Sequence, residues 1–183
     1  MRRTRLQPAL GAALLLLASA WGATHGRRGI ASSPTAAPDP CALLSPAEVA
    51  AVQGTPLVAA VPSAAGTLRT CLYRTRDPGR SVSLALAASD PQPGLSARQL
   101  WRRQFHPASP PDEDEKHAAQ PVAGLGDEAF WINTPAAGAL YVLRGPVFFR
   151  LSLGGLRDAK PRLERSKGLA RQILLRLEAR STR

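Results

Sequence analysis

The chain has 183 residues, and 24 Lys or Arg side chains against 13 Asp or Glu give it a formal net charge of +11. This length is that of one ordinary domain, which excludes a TIM barrel or a multidomain enzyme. Hydrophobic residues make up 44% of the chain, so it can bury a core and is not disordered throughout. A large positive charge is typical of proteins that bind nucleic acids or membranes, so its position along the chain matters.

The first 20 residues carry the three parts of a secretory signal peptide. Three of the first five residues are arginines, residues 9–17 are apolar, and residues 18–20 (Ala-Ser-Ala) fit the small-x-small rule of signal peptidase. Counted as far as Ala23, the weakly polar run has 15 residues, whereas a bilayer-spanning helix needs about 20. We therefore expect an exported protein, periplasmic or extracellular, without a transmembrane helix apart from the signal segment. An uncleaved N-terminal anchor is the alternative.

The segment after the signal peptide predicts where the folded domain begins. Residues 21–40 are mostly small, polar or proline, without an apolar period, which is typical of a disordered linker. A single domain is therefore expected over residues 41–180. Loss of the signal peptide leaves 21 basic and 13 acidic residues, so the net charge falls to +8.

Two helices are marked by the same start signal. Ser45 can cap a helix that begins at Pro46, and Glu48 completes a capping box; the same signals recur at residues 96–99. The clearest helix is predicted for residues 161–180. There, apolar side chains line one face at the helical spacing: Leu163, Ala170, Ile173, Leu174 and Leu177.

Short apolar runs between turn residues predict the strands of a sheet. There are five such runs, at residues 68–75, 81–88, 129–133, 139–144 and 147–153. With the helices, their order predicts an α+β fold, in which an antiparallel sheet of about five strands is covered on one face by helices. Both halves consist of strands followed by a helix. This suggests an internal duplication, although no sequence identity between the halves supports it.

Cys41 and Cys71 are the only cysteines. In an exported chain such a pair usually forms a disulfide, which here would stabilise the fold by about 3–4 kcal/mol in the chain-entropy model. It would connect the start of the first helix to the first strand. A catalytic thiol is the alternative, but it needs a nearby base, and the sequence nominates none.

The remaining polar residues do not form a recognisable catalytic or metal-binding motif. The three histidines lack metal-ligand spacing, so no metal or cofactor is predicted. Residues 124–128 (Gly-Leu-Gly-Asp-Glu) resemble half of a phosphate-binding loop, but a tight turn explains them better because the third glycine and the lysine are missing. If the protein is nevertheless an enzyme, Asp127 and Glu128 beside Trp131 are the only residues that the sequence nominates.

The positive charge is concentrated near the C-terminus. Residues 144–183 contain 11 basic and 3 acidic residues, and four arginines are predicted on one flank of the last helix: Arg162, Arg165, Arg176 and Arg180. These arginines are candidates for contact with an anionic component of the cell envelope or with a protein partner. A solvated helix flank in an arginine-rich composition is the alternative. Nucleic acid is disfavoured as a partner because an exported protein rarely meets it.

Three short segments match motifs of a known group of proteins. Residues 39–49 (DPCALLSPAEV) fit a Pro-Cys-x-Leu-Leu-Ser/Thr-x-x-Glu-Val opening, residues 71–73 a Cys-x-Tyr strand, and residues 124–129 a Gly-Leu-Gly-Asp-Glu-Ala segment. In these segments the chain resembles small exported bacterial proteins of unknown function, often lipoproteins in actinobacteria. The resemblance implies an exported α+β domain with a disulfide, and it brings no activity or functional residue. No cysteine closely follows the signal segment, so the lipid anchor of the lipoprotein members is not expected.

Together these features predict an exported, non-enzymatic binding or accessory domain of the cell envelope, whose ligand the sequence does not identify. The alternative is an envelope enzyme of the hydrolase type, with a site that the sequence does not reveal.

Overall fold

The computed structural model describes residues 38–88, 96–107, 119–133, 138–155 and 158–181. The predicted signal peptide, most of the predicted linker and the acidic run at residues 112–115 lie outside the described residues. The described chain begins with a turn of 3-10 helix at Pro40–Ala42 and contains three α-helices and seven strands. In chain order these are α1 (Pro46–Gln53), β1 (Leu57–Ala65), β2 (Leu68–Thr75), β3 (Val82–Ala88), α2 (Ala97–Phe105), β4 (Gln120–Pro121), β5 (Glu128–Asn133), β6 (Gly138–Arg144), β7 (Val147–Leu153) and α3 (Ala159–Ser181).

The local signals for the helices act as predicted. Ser45 accepts a hydrogen bond from the Glu48 backbone N–H, and the Glu48 carboxylate accepts one from the Ser45 backbone N–H, so the capping box is complete. The same reciprocal pair forms at the start of α2. Gly54 ends α1 in the left-handed conformation, at φ +67°. The boundaries of α1 therefore follow from the sequence alone.

The seven strands form one antiparallel sheet in the order β1-β2-β3-β7-β6-β5-β4. The fold is thus the predicted α+β class, with seven strands rather than about five. The two additional strands are the edge strands β1 and β4. Alanines and Pro62 give β1 no alternating pattern, and β4 has only two residues. Both strands exist because a neighbour pairs with them, which their own sequences do not reveal.

Helices lie on both faces of the sheet, which corrects the prediction of one covered face. Phe149 and Leu151 of β7 are buried in one core with Ile173 of α3. Phe148 points to the opposite face, where its ring lies 5.9 Å from that of Trp101 in α2. We call these two sides the α3 face and the α2 face. Phe130 and Tyr141 also lie on the α2 face, so α2 packs on a group of aromatic side chains there.

The arrangement of the helices also bears on the suggested duplication. The last strands of the two halves, β3 and β7, pair antiparallel near the centre of the sheet. A two-fold axis perpendicular to the sheet would exchange these strands and leave the following helices on the same face. Because α2 and α3 lie on opposite faces, this symmetry does not relate the two halves.

The predicted disulfide between Cys41 and Cys71 is present, with an S–S distance of 2.05 Å. It joins the 3-10 turn at Pro40–Ala42 to β2. Two residues further along β2, the Tyr73 hydroxyl donates a hydrogen bond to the backbone carbonyl of Pro40. Burial raises the pKa of Tyr73 to about 12, so the phenol stays protonated and remains a donor. The start of the domain is thus held by a covalent bond and a buried hydrogen bond.

Candidate functional site

The predicted arginines of α3 are mostly used inside the protein. Arg176 donates hydrogen bonds to both carboxylate oxygens of Glu48, each at 2.9 Å, and to the backbone carbonyl of Leu43 at 2.7 Å. Arg165 donates to the carbonyl of Val52 at 2.8 Å. These contacts join α3 to α1 and the segment before it, so the guanidinium groups stabilise the packing of two helices.

The other two predicted arginines lie in opposite environments. Arg162 is only 3% exposed, and its guanidinium lies 3.5 Å from the side-chain oxygen of Asn133. Arg180 is exposed at the end of α3. The four side chains therefore do not form one solvent-facing row, and contact with an anionic partner at this flank stays a prediction.

The segment at residues 124–128 is a tight turn. Gly124 and Gly126 have φ angles of +76° and +59°, and a Cβ on Gly126 would collide with the carbonyl oxygen of Leu143. Asp127 then accepts hydrogen bonds from the backbone of Gly145 at 2.9 Å and from Arg98 at 3.0 Å. These bonds tie the turn to α2 and to the β6–β7 hairpin. The Gly145 bond outweighs partial burial and lowers the pKa of Asp127.

Glu128 meets a different tryptophan from the one that the sequence nominates. Trp131 is buried on the α3 face, whereas Glu128 belongs to the α2 face. There, Trp101 Nε1 donates to Glu128 Oε2 at 3.0 Å, and His106 Nε2 lies 2.8 Å from the same oxygen. These two hydrogen bonds lower the pKa of Glu128. Sequence reasoning missed His106 and Trp101 because only the packing of α2 on the sheet brings them to β5.

A cavity of about 320 Å³ opens beside this cluster. It is lined by Arg98, Trp101, Arg102, His106, Glu128 and Leu143. Its polar groups are mostly engaged with one another, since Glu128 binds both Trp101 and His106. Groups of three or more acidic, histidine or cysteine side chains that could hold a metal ion are absent from the described part of the chain.

A second cavity, of about 390 Å³, lies on the other side of α2. We call it the α2 groove; it is lined by Thr67, Leu68, Ala87, Leu100, Arg103, Gln104 and Phe148. The sequence of β3 explains the space. Its leucines, at positions 84 and 86, point into the core on the α3 face, while Ala85 and Ala87 point to the α2 face. Ala87 lines the groove, and its short side chain leaves room between β2 and α2.

The α2 groove combines apolar walls with one cation. Leu68, Leu100 and Phe148 are the large apolar residues of its lining, which also includes Arg103 of α2. Within the part of the chain that the structure describes, the Arg103 guanidinium makes no hydrogen bond or ion pair. Thr67 and Gln104 add a hydroxyl and an amide. The groove can therefore bury an apolar chain while it pairs with one negative charge.

Comparisons with known proteins do not assign the chain to a family. No protein-family model matches it, and no curated protein matches it. A solved structure described as a GTP binding regulator from Thermotoga maritima is similar over 74% of this chain and 90% of its own, at 12% identity and a TM-score of 0.39. A similarity this weak indicates nothing about ligand or activity. The structure itself defines the class: a disulfide-bonded α+β domain with a seven-stranded antiparallel sheet.

Proposed function

We propose that the protein is an exported, non-enzymatic binding or accessory domain of the cell envelope, and that the α2 groove holds a small amphiphile with one anionic group. The observation that carries the proposal is the lining of the groove, an apolar surface beside the guanidinium of Arg103, which has no partner among the residues that the structure describes. The signal-like N-terminus supports export. The disulfide also supports it, since disulfides persist in oxidising compartments.

The size and chemistry of the groove define the ligand class. A volume of about 390 Å³ lies in the range of small-molecule sites. An acyl chain against Leu68, Leu100 and Phe148 would gain about 0.8 kcal/mol for each buried methylene group. A planar guanidinium forms two parallel hydrogen bonds with a carboxylate or a phosphate. A medium-chain carboxylate or alkyl phosphate therefore fits both parts of the groove.

Titration calorimetry with decanoate and with decyl phosphate, below their micelle concentrations, tests the proposal. Arg103→Gln should weaken binding about tenfold or more because a charged hydrogen bond is lost. Gln104→Trp should block the groove and abolish binding. Arg102→Gln is the matched control, since Arg102 lies on the same helix and lines the other cavity. The absence of binding to the unmodified protein, or equal effects of the two arginine variants, would refute the proposal.

A hydrolase is the second candidate, and the Glu128–His106 pair favours it. An ionised Glu128 only accepts hydrogen bonds, so His106 Nε2 carries the hydrogen, and Nδ1 is left to take a proton from water. A histidine oriented by a carboxylate is a common general base. Ester hydrolysis that disappears in His106→Gln but persists in Arg103→Gln would favour this candidate over the binding domain.

A further inference from the structure

The β1–β2 hairpin carries most of the exposed apolar side chains. Among the described residues, five large hydrophobic side chains are exposed, and four of them belong to this hairpin: Val58, Val61, Leu68 and Leu72. Val61 pairs directly with Leu72, and Leu68 is four residues before Leu72, so these three side chains share the α2 face. Their exposed fractions are 42%, 42% and 38% for Val61, Leu72 and Leu68. Val61 and Leu72 form one small apolar surface, and Leu68 lies beyond the hydroxyl pair of Ser63 and Thr70 on the same face.

The dimensions of α2 explain why this surface is uncovered. A sheet of seven strands at about 4.8 Å spacing is roughly 30 Å wide, whereas a helix covers about 10 Å of that width. The ring contacts of Trp101 with Phe130 and Phe148 place α2 over β5 to β7. The outer hairpin lies at the opposite end of the sheet, with β1 at its edge.

The charged residues of the hairpin itself are all basic. Residues 57–76 contain Arg69, Arg74 and Arg76 and no acidic residue. Arg74 lies on the same face as Leu72, and it makes no ion pair with any residue that the structure describes. Asp77, the next acidic residue, is paired with Arg80 at 3.3 Å. Arg69 alternates with Leu68 and therefore belongs to the α3 face, whereas Arg74 lies beside the exposed apolar side chains and Arg76 follows the end of β2. The hairpin therefore presents exposed apolar side chains together with two arginines, Arg74 and Arg76.

We propose that the β1–β2 hairpin is a contact surface for an anionic lipid membrane. The apolar side chains would enter the boundary between headgroups and acyl chains, and the arginines would lie among the anionic headgroups. A second copy of the chain suits the hairpin less well. Each copy would bring the same positive charges, those of Arg74 and Arg76, to the contact. The exposed apolar side chains are also far fewer than the roughly 20–30 residues that each partner contributes to a standard protein interface.

Co-sedimentation of the full chain with vesicles tests this contact, with phosphatidylglycerol vesicles compared with phosphatidylcholine vesicles. We expect binding to the anionic vesicles that falls as salt increases. The double variant Val61→Ser/Leu72→Ser should reduce binding to the level seen with phosphatidylcholine. Arg74→Gln should weaken it about fivefold, as expected for one cation near an anionic surface. Residues 9–17 are common to all variants, so differences between them report on the hairpin.

Two control variants separate the hairpin from α3. Leu175→Ser removes the fifth exposed hydrophobic side chain, which lies on α3, and Arg180→Gln removes an exposed charge there. Neither should change the binding. Loss of binding in these controls, or equal binding by all variants, would overturn the proposal. So would a dimer in sedimentation velocity that dissociates in the hairpin variant, because self-association would then explain the surface. Decanoate binding by Arg74→Gln should stay normal, so this test and that of the α2 groove can fail independently.

Discussion

At the scale of single residues, Gly126 allows the turn at residues 124–128 to contact both α2 and the β6–β7 hairpin. Its left-handed backbone and its contact with the Leu143 carbonyl allow Asp127 to reach Gly145 and Arg98. The sequence segment that resembles part of a phosphate-binding loop is therefore a structural junction. Its glycines are needed for backbone conformation and close packing.

Alanine substitution of the two turn glycines should separate these effects. Gly124→Ala should cost about 1 kcal/mol, because it introduces left-handed strain in open space. Gly126→Ala should cost at least about 3 kcal/mol, because the same strain is added to a collision with the backbone at Leu143. Urea unfolding of both variants measures the difference. Equal losses would show that the Leu143 contact does not contribute.

At the scale of elements, β1 and α2 show where local sequence is insufficient. A strand such as β7 has alternating apolar residues, and its boundaries at residues 147 and 153 match the prediction. Leu100, Trp101 and Phe105 also give α2 an apolar face, but a helix with such a face can pack on either side of a sheet. Aromatic side chains from three strands decide the side, and those strands meet only in the folded sheet.

The disulfide yields a prediction for the element that it anchors. It closes a separation of 30 residues between the 3-10 turn and β2. The double variant Cys41→Ser/Cys71→Ser should lose about 3–4 kcal/mol of unfolding free energy, since the unfolded chain regains loop entropy. Denaturant unfolding with and without reductant measures it. Reductant should destabilise only the unmodified protein, and a similar effect on the double variant would contradict this account.

At the scale of the whole molecule, partly exposed ion pairs connect elements that are far apart in sequence. Glu48 and Arg176 join α1 to α3, and Asp127 joins α2 to the β6–β7 hairpin. Burial opposes the ionisation of Glu48, but hydrogen bonds from Arg176 and Ser45 outweigh it and lower the pKa of Glu48. The same direction holds for Asp127 and Glu128. Part of the positive charge, that of Arg98, Arg144 and Arg176, therefore stabilises the packing of these elements.

These lowered pKa values predict acid sensitivity. A carboxylate whose folded pKa lies below its unfolded value stabilises the fold fully above about pH 5, and this contribution disappears as the pH falls through the folded pKa. The unfolding free energy should therefore decrease as the pH falls below about 5. Glu48→Gln should be less stable than the unmodified protein at pH 7, and the difference should shrink as the pH falls through the lowered pKa of Glu48. A difference that is independent of pH would contradict the role of the Glu48 charge.

The α+β class, the boundaries of α1, the disulfide pairing and the central strands could all be predicted from the sequence, because capping residues, cysteines and apolar periods act locally. Export and the resemblance to small exported proteins of unknown function stay predictions from the sequence. The two edge strands, the face that α2 covers, and the use of Arg165 and Arg176 inside the protein became apparent only in the folded structure. The same holds for the α2 groove and the open hairpin. These features depend on which residues meet across the sheet. A contact between residues that are distant in sequence produces no periodic apolar pattern in either segment.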